Sequence, residues 1–576
     1  MRMTFRPSQP ANKGYALIMV MIFLGVTLLV LGSLMSWTNS NARQVKRNNL
    51  YYTSQYAAEA AVEQVIANMN RDYLHQSLNS ASSYDTIIPS QTNWPVQYAF
   101  SSLAGANKTY VNIGATSTNL QPLGSQWSGL QGYSANCQVT STATPQNQLY
   151  TVPATVTENL QYADIPLFQF AIFYNMNLEI QPGGAMTIGG PVFCNASIWA
   201  ASLNLIFSNS VTADGNVSSN NISDPFMTAG SKAGSGNPTF MSTVGTNHAQ
   251  LNLPIGTSNN PAAVEAILQM PPSGNSSSVY LYNQANLIIS NSSSGGNVQV
   301  FYQNTNNSTA LTLVPKDDTN TSSYSFVTST NFQDYREKKT VHAIYLDVAK
   351  LGLWVTNTST LGGATINNQT IADTGKGINS IYIYDSVPLS SSTLPGVQVG
   401  NGKQLPQYGL AIATPDPIYV EGNFNVQDNT GNNIGQNATS HTRPAALYGD
   451  ALTVLSANWN DTNESSTESL RIPVPTTVNA ATLEGIVPSS GTIYSGGVEN
   501  FLRLLEAWSG AIPLTYNGSI VVMFPSQYAT NSWGNSHYYD IPKRQWAFDL
   551  NFTHQDGLPP MTPQVKGIIR QGWARQ

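Results

Sequence analysis

Hydrophobic positions along the chain fall into two textures. From Tyr15 to Trp37 the sequence YALIMVMIFLGVTLLVLGSLMSW runs without a charge. A helix of that length spans about 34 Å, enough for the hydrocarbon core of a bilayer. It exceeds the apolar region of about 7–15 residues in a cleaved secretory signal, and the TNSNARQ behind it offers no small-x-small exit. The run predicts a membrane anchor. Helical periodicity continues beyond it: Val62, Val65, Ile66, Met69 and Tyr73 recur at one-face spacing, and no proline occurs between Pro10 and Pro89. One rod from Tyr15 to about Leu74 is expected, roughly 90 Å long. Arg2, Arg6 and Lys13 before the span balance Arg43, Lys46 and Arg47 after it, so flanking charge does not set the orientation.

Residues 75–160 read as an irregular linker region of weak strands and loops, with turn clusters such as HQSLNSASS and TPQNQ. From Phe168 short β-branched and aromatic runs alternate with Gly and Asn turns, as in FQFAIFYNMNLEI, AMTI, NSIYIYD, GLAIAT, PIYVEGNFNV and GSIVVMF. Several corners share one form, among them Ile188-Gly189-Gly190-Pro191-Val192 and Val420-Glu421-Gly422-Asn423-Phe424. Short strands between glycine corners suit rungs of a solenoid. The body, residues 161–576, is therefore expected to be mainly β: an irregular right-handed parallel β-helix, with a β-sandwich or mixed β domain as the alternative. Hairpins use glycine in the same way, and no fixed period runs through the segment. Inserts fall near 224–340 and 426–443. Within the first, Pro261 to Met270 predicts a short helix with proline in its first turn, and GNSSSVYLYNQANLIISNSSSGGNVQVFYQN predicts hairpin strands. Val341 to Val355 predicts a strand leading into a helix. Ser495 to Ser509 predicts a covering helix with Val498, Phe501, Leu502, Leu505 and Trp508 on one face and Gly510 as its stop.

Composition narrows the class. Charged residues make up 9% of the 576, against about 25% in an average globular protein, and none occurs from Ala266 to Pro315. A hydrophobic share of 41% with 10% aromatics excludes a wholly disordered chain. The net charge is −6 and no basic stripe is present, which argues against nucleic acid as a partner. Such a neutral, hydrogen-bonding surface fits an exported, non-enzymatic protein.

Candidate chemistry is sparse. His75, His248, His342, His441, His537 and His554 sit in no HxH or HExxH motif, and no cysteine cluster has zinc spacing. Gly375-Lys376 is followed by Gly377, so no phosphate-cradling loop is completed, and GxSxG is missing. Glycoside hydrolysis needs two carboxylates about 5–9.5 Å apart. Glu179, Asp385, Glu421, Asp450 and Glu484 stand singly, and the adjacent pair Asp317-Asp318 lies in a turn-rich loop. The Asp428 to Asn433 loop lacks the EF-hand pattern. No catalytic, cofactor-binding or metal residue is assigned. Cys137 and Cys194 are either a disulfide, favoured by an oxidising compartment, or two buried thiols. Tyr382, Tyr384 and Tyr419 read as sheet packing.

Gly14 before Tyr15, the ALIMVMIFL run, the long rod and the AAEAA block (Ala57, Ala58, Glu59, Ala60, Ala61) resemble the PilX-type N-terminus of type IV pilin-like proteins, over about 60 of the 576 residues. The resemblance implies a cytoplasmic leader, residues 1–14, removed by a prepilin peptidase between Gly14 and Tyr15. It implies a 15–74 helix that packs with other pilin-like subunits. It also implies a single-pass protein of the bacterial inner membrane, its body extracytoplasmic and carried to a pilus tip or the cell surface. Met19 occupies the fifth mature position, where major pilins carry glutamate, which points to a minor pilin or pseudopilin. Blocks such as RPAALYGDALTVLSANWND and YSGGVENFLRLLEAW resemble large bacterial proteins with PilX-like anchors and bring no activity with them. The expected function is a non-enzymatic minor subunit or assembly-associated surface protein that displays its β domain for adhesion or assembly, with an extracellular protein or glycan as ligand. The alternative is a membrane-anchored β-helix enzyme acting on extracellular polysaccharide.

Overall fold

The computed structural model describes residues 15–75, 78–219, 236–303, 311–317, 322–356, 365–366, 369–370, 378–428, 430–434, 439, 442–463, 467–491, 494–533 and 538–575. Two compact units divide the chain. The first comprises residues 1–116, 135–162 and 568–576, and the second 117–134 and 163–567.

In the first unit a single helix runs from Tyr15 to His75, in agreement with the expected rod. Thr27, Ser33 and Thr38 return their hydroxyls to carbonyls three or four residues earlier, so these polar side chains leave no unmet donor on an apolar rod. From Leu50 onward one face is buried. Ala57, Ala58, Ala61, Val62, Val65, Ile66, Met69 and Tyr73 pack with Phe100, Val111, Cys137, Val139, Val156, Leu160 and Tyr162. Those partners lie on an antiparallel sheet ordered Tyr98–Ser102, Gln131–Pro145, Ala154–Pro166, Gln564–Arg575, with Tyr110–Ile113 also on the Gln131–Pro145 strand. The two central strands have 15 and 13 residues, longer and more regular than the weak strands expected over 75–160. Their inner face mixes the small Cys137, Val139, Ala143 and Val156 with the larger Leu160 and Tyr162, while the other face carries the threonine pairs Thr140–Thr157 and Thr142–Thr155 at 3.0 and 2.8 Å. With few large apolar residues and polar groups on both faces, the alternation leaves little trace in the sequence.

The second unit is built mostly from parallel ladders. One contains Leu287–Ser290, Ser380–Tyr384, Leu410–Ala413, Ala445–Gly449, Thr476–Ile486 and Pro513–Pro525, stacked so that Ile381, Ile412, Leu447, Thr482 and Ile520 align. The other contains Lys339–Asp347, Thr393–Gly400, Ile418–Glu421, Leu452–Leu455 and Leu502–Leu504, with Val397, Ile418, Leu452 and Leu502 aligned. From Ser380 to Pro525 the chain alternates strand by strand between the two. Most of these strands are buried on both faces, so they read as continuous apolar runs. The expected 224–340 insert is not wholly an insert. Leu287–Ser290 is a rung of the first ladder, capped by the antiparallel strands Gln299–Gln303 and Leu311–Leu313. The expected helix appears as Pro261–Ala266, with Asn260 Oδ1 accepting from the Ala263 amide at 2.9 Å, and Lys339–Asp347 leads into the helix Val348–Thr356 as predicted.

Residues 172–219 form a third arrangement with three strands per turn. Ile172, Val192 and Val211 align, as do Leu178, Ile198 and Val217, so the chain repeats every 19 or 20 residues here. This local period was not visible as a chain-wide repeat. Pro513–Pro525 joins these turns to the first ladder. One edge pairs with Thr476–Ile486, and the other pairs with Lys543–Phe548 up to Gly518 and with Ile172–Tyr174 from Ile520. Gly518 marks the change of partner. A Cβ there would overlap the Ala480 carbonyl, so the close approach requires glycine.

The predicted covering helix at 495–509 is corrected. The segment is a 3₁₀ turn, Val498–Asn500, followed by the strand Leu502–Leu504. Gly496 and Gly497 adopt φ of 92° and 56°, which a helix does not allow. Every residue from Tyr494 to Trp508 is buried, so the helical spacing of its apolar members reflects burial all round and not one covered face.

Candidate functional site

The part of the rod before Leu50 is the most distinctive surface of the described residues. Tyr15 to Trp37 is exposed throughout, with a mean hydropathy of 2.7 over its best 18-residue window. That stretch is long and apolar enough to cross a membrane. Met19 is 66% exposed and no acidic residue occupies the first turn. Tyr15 begins the described helix, while Gly14 and the leader lie outside the described residues.

At Leu50 the rod changes role from free to packed. Ser54 donates to the carbonyls of Leu50 and Val152 at 2.7 and 2.8 Å, tying the helix to the loop before Ala154–Pro166. Lower down, Arg570 of the last strand grips Glu63 through both guanidinium nitrogens at 2.6 and 2.8 Å and reaches Glu158 at 3.1 Å. The Arg570 contact holds the Glu63 carboxyl below its usual range, while burial pushes Glu158 up against the pull of the same guanidinium. Neither acid nor Arg570 was singled out in the sequence, because a pair 507 positions apart leaves no local signal.

Cys137 and Cys194 do not form the disulfide that was one of the two expectations. Both are free and buried, on the separate strands Gln131–Pro145 and Val192–Cys194. Cys194 Sγ donates to the Met176 carbonyl at 3.1 Å. Burial pushes the Cys137 thiol up to about 11 and the Cys194 thiol to about 12.

Three carboxylates that stood singly in the sequence are brought together with a fourth. Asp385, Asp416, Asp450 and Glu484 lie at or just past the ends of successive strands of the first ladder. Asp416 Oδ2 accepts from the Asp385 amide at 2.9 Å, and the Asp450 amide donates to the Asp416 carbonyl at 3.2 Å. Asp385 is closed off by His342 Nδ1 at 2.6 Å and Asn291 Nδ2 at 2.8 Å, and Asp450 accepts from the amides of Tyr528 and Ala529 at 3.1 and 2.7 Å. Neither oxygen of Glu484 has a hydrogen-bond partner among the described residues, and burial raises its carboxyl well above the usual range. Burial, with the charges of Asp385 and Asp450, pushes Asp416 up to about 8. All four residues are less than a tenth exposed. Among the described residues no group of three metal-ligating side chains converges. Tyr382 and Tyr419 are buried packing residues whose hydroxyls donate to the Leu268 carbonyl and to Asp334, each at 2.8 Å.

No family model matches the chain, and no curated protein matches it. Among solved structures it bears a slight likeness to the competence-associated pilin ComZ from Thermus thermophilus. The two are 10% identical with a TM-score of 0.31, over 92% of this chain and 97% of that one.

Proposed function

We propose that the protein is a membrane-inserted, pilin-like minor subunit that displays a large extracytoplasmic β body for adhesion or assembly. The observation that carries this reading is the single helix Tyr15–His75, fully exposed and apolar over Tyr15 to Trp37 and packed on an antiparallel sheet from Leu50 on. At 1.5 Å per residue the free portion before Leu50 is about 50 Å long, which crosses a hydrocarbon core of about 30 Å and leaves clearance for the body. The stacked parallel ladders support reading that body as an irregular β-helix. Burial of the acidic ladder supports a non-enzymatic role, since a polysaccharide has no access to carboxylates so enclosed.

On this reading the exposed apolar face contacts lipid first and then the rods of other pilin-like subunits, and a prepilin peptidase cuts between Gly14 and Tyr15. Met19 brings no carboxylate to neutralise the free amine of a preceding subunit, and an unpaired charge within lipid costs several kcal/mol. The chain therefore suits a first position, at a tip or in an initiation complex, better than a shaft. The test is mass spectrometry of the N-terminus from membranes with and without active peptidase, paired with immunolabelling of isolated fibres. A mature Tyr15 terminus with label confined to fibre ends is expected. An intact Met1 terminus with active peptidase, or dense labelling along the shaft, overturns the reading.

A further inference from the structure

Between the end of the apolar run and the first packed residue, the rod carries an unpaired positive face. Arg43, Lys46 and Arg47 recur at i, i+3 and i+4 and are exposed on the helix, within about 100° of its circumference. No aspartate or glutamate occurs in the chain before Glu59, about 18 Å further along the helix than Arg47. Among the described residues none of the three cations has a carboxylate within ion-pair distance. By contrast Arg71 and Arg570 of the same unit are paired with Asp72 and Glu63 at 3.1 and 2.6 Å. Arg47 lies over the ring of Tyr150 at 6.0 Å, a contact with the ring face that uses none of its N–H donors.

Height along the rod decides what these charges meet. With Tyr15 to Trp37 spanning the hydrocarbon core, Trp37, 64% exposed, stands at the interface where aromatic side chains settle. The headgroup layer extends about 5–7 Å beyond that level. The Arg43 backbone stands about 9 Å beyond Trp37 along the helix axis, and Lys46 and Arg47 about 14–15 Å. Cα–Cβ bonds tilt toward the helix N-terminus, which here is back toward the membrane. A stem of about 6 Å brings the Arg43 guanidinium into the headgroup layer. It brings the other two charges within about 4 Å of the layer's outer edge, well inside a Debye length of about 8 Å. Placed outside the cytoplasm, three cations oppose the bias that keeps Lys and Arg inside it, and an anionic surface on their own side offsets that cost.

We propose that Arg43, Lys46 and Arg47 form a docking face for anionic phospholipid headgroups while the rod is membrane-inserted, an inference that rests on the membrane-spanning reading of Tyr15 to Trp37. A zwitterionic headgroup carries a phosphate too, but its own ammonium cancels that charge. The face therefore selects lipids of net negative charge.

The test uses the full chain carrying Arg2→Gln, Arg6→Gln and Lys13→Gln throughout, so that cations on the other side of the span do not contribute. Flotation with phosphatidylcholine vesicles in alkaline carbonate checks insertion. Native mass spectrometry from micelles holding equal amounts of phosphatidylglycerol and phosphatidylcholine then measures which lipid is retained. Phosphatidylglycerol is expected to be favoured at least about fivefold, the effect of one Lys or Arg near an anionic surface. Adding Arg43→Gln, Lys46→Gln and Arg47→Gln together is expected to bring retention within about twofold of equality while flotation persists. The charge-preserving set Arg43→Lys, Lys46→Arg and Arg47→Lys is expected to keep the preference. Raising ammonium acetate from about 0.1 to 1 M is expected to weaken it, as the Debye length falls from about 10 to 3 Å. Flotation with equal retention of the two lipids overturns the proposal alone, in favour of an acidic face on a protein partner. A preference unchanged by the glutamine set does the same. Failure to float overturns the membrane-spanning reading and the proposal with it.

Discussion

Replacing Asp416 with asparagine is expected to flatten the pH dependence of stability in the second unit. In the folded protein burial, with the charges of Asp385 and Asp450, lifts this carboxyl from 3.8 to about 8. Between those values the native state keeps a proton that the unfolded chain has released. Stability therefore falls as pH rises, by about 1.4 kcal/mol per pH unit, or about 6 kcal/mol across the window. Below pH 4 both states are protonated and above about 8 both are ionised, so the slope from Asp416 vanishes at either end. His342 adds to the same trend. Its contact with Asp385 raises the imidazole above its unfolded value, so its contribution is whole below about pH 6.5 and is lost as pH climbs through the folded value. Asp416→Asn keeps a carbonyl oxygen to accept from the Asp385 amide and Thr414 Oγ1, and its amide takes the place of the carboxylic O–H. The variant is expected to lie within about 1 kcal/mol of wild type at pH 5 and about 4 kcal/mol above it at pH 8. Denaturant unfolding of the full chain in detergent, followed through tryptophan fluorescence from pH 5 to 8.5, measures both. Equal slopes in the two proteins, or equal destabilisation of the variant at both pH values, would refute the reasoning.

Gly518→Ala is expected to destabilise the second unit by about 3 kcal/mol or more, because the added methyl meets the Ala480 carbonyl in the middle of the sheet. Limited proteolysis should then release fragments of the 172–219 turns at denaturant concentrations that leave wild type intact. Both thiols should resist a disulfide-exchange reagent at pH 8 in the native protein and react only on unfolding, since burial holds them as thiols. Rapid native labelling of either would contradict the packing of Cys137 and Cys194.

The rod, the runs of short strands and the strand-to-helix step at 339–356 were all legible, because each rests on local spacing. Residues 495–509 misled for a specific reason. In a segment buried on every side, helical and extended readings of Val498, Leu502 and Leu505 are equally apolar, and only Gly496 and Gly497 argue against the helix. The acidic ladder was hidden because its members lie 31–34 positions apart, in coils whose connecting loops differ in length. The 19–20-residue repeat at 172–219 spans too few turns to stand out against the longer coils that follow.

The place of Pro513–Pro525 sets an order of events in time. The strand that covers one edge of Ile172–Tyr174 aligns Ile520 with Ile172, so it is synthesised 348 residues later (520 − 172). At a translation rate of about 5–20 residues per second, that edge waits roughly 20–70 s for its partner. An open parallel edge is a template for pairing with any extended chain nearby. Completion of the second unit is thus gated by arrival of its C-terminal part. A ribosome that stalls before Pro513 leaves an aggregation-prone nascent chain, not a shorter working protein.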